Sequence, residues 1–379
     1  MKLHAQKLLT NEGWRHNQVL CIEQGLIAAI EEADQHNLSH VASSHDVLVP
    51  GFIDIQVNGG GDVLFNETPN ASALKHMFSA HQQFGTAAML PTLITDNIEK
   101  MQSAADAISD VRTTMASAIV GVHFEGPWLN TTKKGVHKAD FIRTPVDAEL
   151  AILRRSDLGK VMVTLAPENV PVEIIRQMCD DGIIVFLGHS NATAAQVEAA
   201  LDAGAIGFTH LYNAMSPMQS RAPGMVGAAL SAQHAYAGLI VDGYHVEPTC
   251  CHVAYLAKGK DKLILVTDAM ALAASSNTDV AFFDTSIHKH KGKLSTPDGT
   301  LAGSCLTMID AVKNACTACQ IALEQSIYMA SETPAKLLGL EASHGAIKVG
   351  AFAHLLALDE ANNITHIWHN GKAVPKTTL

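Results

Sequence analysis

The sequence is poor in aromatic residues, in charged residues and in long apolar runs. Of its 379 residues, 5% are aromatic and 17% are charged. The longest apolar runs, such as residues 118–122 and 183–188, fall far short of the roughly 18–20 residues that a membrane span needs. The first 16 residues contain no apolar segment of the kind found in signal peptides. We therefore expect neither a membrane-spanning segment nor a signal peptide.

Positive charge and cysteine are also scarce. The chain has 26 basic and 37 acidic residues, which gives a formal charge of −11, so no chain-wide basic surface for nucleic acid is expected. Seven cysteines, an odd number in a long chain, suit a reducing compartment better than a disulfide framework. With 47% hydrophobic residues, the chain can bury a large core. These features predict a globular, metabolic protein of the cytoplasm.

Eight short apolar runs, each followed by a helix-like stretch, dominate the middle of the chain. The runs cover residues 52–57, 86–93, 119–125, 161–166, 183–189, 206–210, 237–242 and 263–268. Near-continuous apolar runs are typical of strands that are buried on both faces of a parallel sheet. Eight such strands alternating with helices predict an α/β fold of the (β/α)8 TIM-like barrel type. A doubly wound open sheet is the alternative, but no Gly-x-Gly-x-x-Gly follows the first run.

The two ends of the chain have a different pattern. Residues 1–47 and 345–379 contain short strand-like segments separated by turns. We expect both ends to form one small β domain, a β-sandwich, outside a catalytic barrel of residues 48–344.

Polar residues at the ends of the predicted barrel strands are the candidates for chemistry, because that face of a barrel builds the active site. Glu125, His189 and His210 end three different runs, and Asp268 ends the last one. One carboxylate and two imidazoles suit zinc or a similar first-row metal. The alternative is that each histidine is a core residue with its hydrogen bonds satisfied. Because three candidate ligands lie at the ends of separate strands, a metal site is favoured over three unrelated core residues.

Five motifs, in this order along the chain, resemble the amidohydrolase superfamily and, within it, the N-acetylglucosamine-6-phosphate deacetylases. They are Pro50–Gln56, His123–Trp128, Gly188–Thr193, Thr209–Ala214 and Val266–Asp268. The resemblance covers essentially the whole chain. It implies a metal-dependent barrel with a small β-sandwich domain formed by both termini, and it implies a homodimer.

The resemblance also implies roles for individual residues. Glu125, His189 and His210 would bind the metal, and Asp268 would be the catalytic acid and base. The implied substrate contacts are Val136, His137, Asn213, Ala214, Arg221, His245, Leu301, Ala302 and Gly303. In the family, the arginine reaches across the dimer into the neighbouring site, so Arg221 is expected to bind the substrate phosphate of the partner.

One departure from the wider superfamily bears on the number of metal ions. Many amidohydrolases place His-x-His at the end of the first strand and hold two metals, whereas this chain has Gln56 and Asn58 there. Amide side chains are poor ligands for a transition metal. We therefore expect one divalent ion per chain: zinc first, with iron, cobalt or manganese as the other candidates. Whether Gln56 contacts the substrate, the metal's water or neither stays open.

These features together predict hydrolytic deacetylation of N-acetyl-D-glucosamine 6-phosphate to D-glucosamine 6-phosphate and acetate, in amino-sugar catabolism. The first alternative is another amidohydrolase acting on a cyclic amide or another N-acyl substrate. Such enzymes typically use His-x-His and a lysine at the end of strand 4, which this sequence does not show. The second alternative is an inactive barrel that serves as a scaffold, but Glu125, His189, His210 and Asp268 are all retained.

Overall fold

The computed structural model describes residues 1–376 of the chain, in which strands and helices alternate through most of the length. In chain order the strands are β1 (Lys2–Thr10), β2 (Gly13–Glu23), β3 (Leu26–Glu32), β4 (Ser43–Pro50), β5 (Phe52–Val57), β6 (Gly59–Gly60), β7 (Val63–Leu64), β8 (Thr86–Ile94), β9 (Gly121–Glu125), β10 (Lys160–Leu165), β11 (Ile184–Leu187), β12 (Gly207–Phe208), β13 (Tyr236–Leu239), β14 (Leu263–Leu265), β15 (Asp279–Phe282), β16 (Thr285–His290), β17 (Lys293–Ser295), β18 (Leu355–Leu358), β19 (Ile364–His369) and β20 (Lys372–Ala373).

The helices are α1 (Gln35–Leu38), α2 (Ala71–Gln82), α3 (Ile98–Met115), α4 (Asp147–Leu153), α5 (Val172–Asp180), α6 (Ala194–Asp202), α7 (Gly224–Ser231), α8 (Pro248–Lys258), α9 (Met308–Thr317), α10 (Leu323–Ala330) and α11 (Glu332–Leu337). Most of them connect consecutive strands of the central sheet. No helix within residues 1–376 combines the length and the apolar character that crossing a bilayer requires.

The central sheet has eight parallel strands in the order β14-β13-β12-β11-β10-β9-β8-β5. Its first and last strands meet beyond their ends, because Val57 forms an isolated parallel bridge with Ala269. The backbone N–H of Asp268 also donates to the carbonyl of Gln56 at 3.0 Å. The sheet therefore closes, as in a (β/α)8 barrel, and the predicted fold class is confirmed over the doubly wound alternative.

Four barrel strands end two or three residues earlier than the apolar runs indicated, because the sheet hydrogen bonding stops at Leu187, Phe208, Leu239 and Leu265. Three of these runs end at His189, His210 and Asp268. These three residues have φ angles of +47°, +33° and +51°, which is a left-handed backbone that cannot continue a strand. The chain thus turns sharply at each of them, at the mouth of the barrel.

Both ends of the chain form a second, seven-stranded sheet in the order β20-β19-β18-β4-β1-β2-β3. Strands β1 and β4 are parallel, and the other neighbouring pairs are antiparallel. A bridge between Leu26 and Phe352 joins β3 to the segment before β18, so the sheet wraps around its own apolar core, which includes Leu8, Leu48 and Trp368. The expected small β domain from both termini is therefore present as one continuous sheet.

A third, three-stranded antiparallel sheet, β15–β17, lies between β14 and α9. Its apolar residues Phe282, Ile287 and Leu294 pack in one cluster with Ile94 and Met270, which lie at the mouth of the barrel. An ion pair of 2.7 Å between Lys138 and Asp284 ties the loop after β9 to this sheet. The insertion therefore borders the same end of the barrel as the predicted metal ligands.

Candidate metal centre and active site

Glu125, His189 and His210 converge at the mouth of the barrel. Oε1 of Glu125 lies 3.2 Å from Nε2 of His189 and 3.0 Å from Nε2 of His210, and the two Nε2 atoms are 3.0 Å apart. All three residues are buried. The structure therefore brings together three ligands from separate strands into a group that could hold a metal ion.

The chemistry of this group fits a first-row divalent metal. The carbonyl of Lys133 can only accept, so its 2.8 Å contact with Nδ1 of His189 places the imidazole proton on Nδ1 and leaves the lone pair of Nε2 free for a metal. Tetrahedral ligands at about 2.0–2.1 Å from zinc lie about 3.3 Å from one another, which is close to the observed separations. The residues present therefore fit the expected ion.

The electrostatics of the group also suit a cation. Burial would raise the pKa of Glu125, but its contacts with the imidazoles of His189 and His210 hold that pKa well below its usual range. Burial would lower the pKa of His210, yet its hydrogen bond with Glu125 raises it. When both imidazoles are neutral, the ionised carboxylate gives the group of three residues a net negative charge. The group binds a cation in this protonation state.

Asp268 lies beside the three ligands and is held by two amide side chains. Nδ2 of Asn58 donates to its Oδ1 at 2.6 Å, and Nε2 of Gln56 donates to the same oxygen at 3.1 Å. Nε2 of Gln56 also lies 3.3 Å from Oε1 of Glu125. Burial, followed by the charge of Glu125, raises the pKa of Asp268 to about 6. Gln56 and Asn58 thus donate hydrogen bonds to carboxylates at the centre of the site.

His137 is buried on the loop after β9, and its neighbours set its protonation. The backbone N–H of Thr95 donates to Nδ1 of His137 at 3.3 Å, and the Thr95 hydroxyl lies 2.8 Å from the same atom. Both contacts are made by Nδ1, so Nε2 is the ring nitrogen left for a ligand in the cavity. Burial and the nearby His189 lower the pKa of His137 well below its usual range. His137 is therefore a neutral ring at neutral pH.

Three further residues, to which the sequence patterns gave no role, support the site. Asp54 accepts hydrogen bonds from the hydroxyl and the backbone N–H of Thr267, at 2.5 and 3.3 Å, and burial raises its pKa to about 7. Glu168 accepts from the hydroxyl of Ser190 at 2.6 Å, next to His189. Thr95 fixes His137, as described above. Glu168 follows β10 as Glu125 ends β9, so the strand-end pattern could have found it.

Most of the predicted substrate-binding residues line one cavity of about 240 Å³. The predicted residues in its lining are Glu125, Val136, His137, His189, Asn213, Ala214, His210, His245, Asp268, Leu301 and Gly303. Ala302 is fully buried and packs in the cluster with Met270 and Leu294, so its side chain points away from this space. Arg221 is exposed on the loop before α7 and lies outside the lining.

The Amidohydrolase family profile matches residues 47–374 of the chain, and the chain belongs to this family. It is 43% identical over 354 residues to an N-acetylgalactosamine-6-phosphate deacetylase of Shewanella sp. (strain ANA-3), a match that covers 93% of this chain and 89% of the relative. It is 33% identical over 378 residues to an N-acetylglucosamine-6-phosphate deacetylase of Vibrio furnissii, covering 98% and 94%. The resemblance drawn from the five motifs is confirmed.

Solved structures show the same similarity along the whole chain. The crystal structure of N-acetylglucosamine-6-phosphate deacetylase from Pasteurella multocida matches with a TM-score of 0.94 and 34% identity, covering 99% of this chain and 100% of that one. A Mycobacterium smegmatis deacetylase in complex with N-acetyl-D-glucosamine 6-phosphate matches with a TM-score of 0.91 and 29% identity, covering 98% of both chains.

Proposed function

We propose that this chain hydrolyses N-acetyl-D-glucosamine 6-phosphate to D-glucosamine 6-phosphate and acetate in amino-sugar catabolism. The observation that carries the proposal is the placement of Glu125, His189 and His210 beside Asp268 in one cavity. Two relatives with this activity in their names align with 98% and 86% of the chain. The same arrangement argues against an inactive scaffold, which would not need to keep all four groups.

The residues of the site divide the work of amide hydrolysis. A divalent ion held by Glu125, His189 and His210 would lower the pKa of water from 15.7 to about 7 and so supply a nucleophile at neutral pH. Asp268 accepts the proton of the attacking water and returns it to the departing amine nitrogen. The Nε2–H of His137 donates to the acyl oxygen as negative charge develops there.

The remaining cavity residues bind the sugar and its phosphate. The sugar contacts backbone groups of Val136, Asn213, Ala214 and the loop of Leu301, Ala302 and Gly303. The side chain of Ala302 is buried, so only its main chain is available for this contact. His245 and the partner's Arg221 bind the phosphate. A guanidinium suits phosphate because its N–H groups form two parallel hydrogen bonds with the oxygens.

We propose zinc as the ion, with iron, cobalt or manganese as the other candidates, at one ion per chain. The support for a single ion is that Gln56 and Asn58 donate their amide N–H groups to Asp268. Because these amide N–H groups point at Asp268, Gln56 and Asn58 do not provide ligands for a second metal ion.

We also propose that the protein is a cytoplasmic homodimer in which Arg221 completes the neighbouring site. Arg221 lies on an exposed loop before α7. Exposed apolar side chains occur on that loop and on α8, at Met218, Val253 and Leu256, with exposed fractions of 58%, 45% and 70%. Apolar residues that are exposed on a monomer in this way favour contact with a second subunit.

N-acetyl-D-galactosamine 6-phosphate is a second candidate substrate. It differs from the glucose form only in the configuration at C4, and the 43% identical relative from Shewanella carries this substrate in its name. The acetamide and the phosphate are the same in both sugars. These are the parts of the substrate that the metal group, Asp268, His245 and Arg221 would contact.

The experiment is a measurement of acetate release by the metal-loaded protein from three substrates at equal concentrations. They are the 6-phosphates of N-acetylglucosamine and N-acetylgalactosamine and the unphosphorylated N-acetylglucosamine. We expect a clear preference for the phosphorylated sugars and loss of activity with a chelator. A larger kcat/KM for the galactose form would make it the substrate. Turnover of a cyclic amide with no acetate release from any sugar would refute the proposal.

A further inference from the structure

An aspartate that the mechanism above does not use holds His245 in place. Asp242 lies three residues after β13, and its Oδ2 is 2.6 Å from Nδ1 of His245. Its other oxygen, Oδ1, accepts the backbone N–H groups of Tyr244 and His245 at 2.9 and 2.8 Å. Both side chains of the pair are only 7% exposed. One carboxylate therefore fixes both the turn of this loop and the orientation of the ring.

The carboxylate determines which atom of His245 is available to a ligand. Burial would raise the pKa of Asp242, but the hydrogen bond and the charge of His245 lower it, so Asp242 is ionised at neutral pH and can only accept. Nδ1 of His245 must then carry a proton. The hydrogen bonds found within residues 1–376 leave Nε2 without a protein partner, and the ring lines the active-site cavity.

The ring is placed to contact an anionic group of the substrate. Asp242 holds Nδ1 from the side of its own loop, so Nε2 is the ring nitrogen left to form a hydrogen bond with a ligand oxygen in the cavity.

We propose that Asp242 is a positioning residue, which turns His245 so that Nε2 faces the cavity and forms a hydrogen bond with a phosphoryl oxygen of the substrate. The inference rests on the proposed function, in which His245 binds the phosphate. It adds a residue that acts through His245 and does not itself touch the substrate.

The test is a double-mutant cycle on the metal-loaded protein, with D-glucosamine 6-phosphate as the probe in calorimetric binding measurements. The variants are Asp242→Asn, His245→Gln and the double variant. Asp242→Asn should weaken binding of the probe about tenfold and raise KM by a similar factor, with kcat within about threefold of wild type. In the His245→Gln background, Asp242→Asn should change the affinity by less than about twofold, because the group it acts through is gone.

Asp279→Asn is the matched control, since Asp279 accepts a hydrogen bond from Nδ1 of His288 in an exposed pair. It should leave the affinity unchanged. If Asp242→Asn does not fold, Asp242→Ser, which keeps an oxygen for the turn, takes its place in the same cycle.

Two results would overturn the inference. One is an affinity within about twofold of wild type in Asp242→Asn, and the other is an equal loss with and without His245, which would mean a general structural role. A wild-type protein that binds the probe but releases no acetate would refute the proposed function and leave this inference standing.

Discussion

The surroundings of Asp268 raise its pKa, which suits the proton transfer proposed for it. Burial and the neighbouring Glu125 raise this pKa to about 6, while His210, His245 and the amide of Asn58 oppose the shift. A carboxyl group with a pKa close to the working pH can accept a proton from water and then donate it to an amine. An unperturbed aspartate, with a pKa of about 3.9, is a much weaker acid–base partner at neutral pH.

Asp268→Asn should reduce kcat by about 10²–10⁴, because the amide keeps the shape of the side chain and removes proton transfer. The ion should stay bound, since Glu125, His189 and His210 are unchanged. Steady-state kinetics and elemental analysis of the same preparation measure both quantities. Asp261→Asn, at an exposed aspartate, is the control. Near-normal turnover in Asp268→Asn would mean that another group is the base.

The types of the central residues could be predicted from the sequence, but their mutual contacts could not. Glu125, His189, His210 and Asp268 stand out because strand ends of a barrel meet at one face. The bonds from Gln56 and Asn58 to Asp268 join residues 212 and 210 positions apart. Nothing local in the sequence indicates that these amides point at a carboxylate, so only the closed barrel reveals their role.

Three histidines lie at the contact between the terminal β sheet and the barrel. Nε2 of His369, in β19, donates to the carbonyl of Ala87, in β8, at 3.1 Å. Nε2 of His344 donates to the carbonyl of Ser117 at 3.0 Å. The ring of His354 lies 4.2 Å from that of His369 and 5.4 Å from that of His344. Burial lowers the pKa of each ring, and that of His354 falls well below its usual range.

The contribution of these three rings to the free energy of unfolding should therefore decrease as the pH falls below about 6.5, the ordinary pKa of histidine. Above that pH these rings are neutral in both states. Below it, the unfolded chain binds protons that the folded chain cannot, so the unfolded state gains stability. For His354 the loss is at most about 1.4 kcal/mol per pH unit. Denaturant unfolding at pH 7.5 and pH 5.5 measures the difference.

His354→Gln is the variant that tests this origin, and His290→Gln, at an exposed position of β16, is its control. The first should unfold with a smaller difference between the two pH values than wild type. The second should behave as wild type. Equal pH dependence in wild type and His354→Gln would show that other groups cause the acid sensitivity.

Strand boundaries were the part of the fold that sequence patterns described least well. An apolar run indicates burial, and the run at 206–210 stays buried over most of its length although β12 spans only Gly207–Phe208. The left-handed backbone at His210 ends the hydrogen bonding there.

For the whole molecule, the excess of negative charge makes phosphate binding depend on a few cationic groups. The chain carries a formal charge of −11, and the cavity lining within residues 1–376 contains histidines but no lysine or arginine. Arg221 is exposed on a loop outside that lining. A second subunit that brings its own Arg221 to the cavity would supply the missing charge.

Arg221→Ala should lower kcat/KM for the phosphorylated substrate by about 30- to 1000-fold, because a bidentate charge-assisted contact is lost. The kcat/KM for the unphosphorylated sugar should stay close to that of the wild type. Mixing inactive Asp268→Asn chains with Arg221→Ala chains should restore activity, since one site of each heterodimer has both groups. If subunits exchange and activity does not recover, the arginine does not act across an interface.

Deacetylation by this chain should require one ion bound at Glu125, His189 and His210. The measurement that tests it is the rate of acetate release from N-acetyl-D-glucosamine 6-phosphate during titration of the metal-free protein with zinc, with bound metal counted in each sample. We predict no activity without metal, a linear rise, and saturation at about one ion per chain, because three ligands with one open position define a single catalytic site. Full activity without metal, or saturation at two ions per chain, would contradict the account.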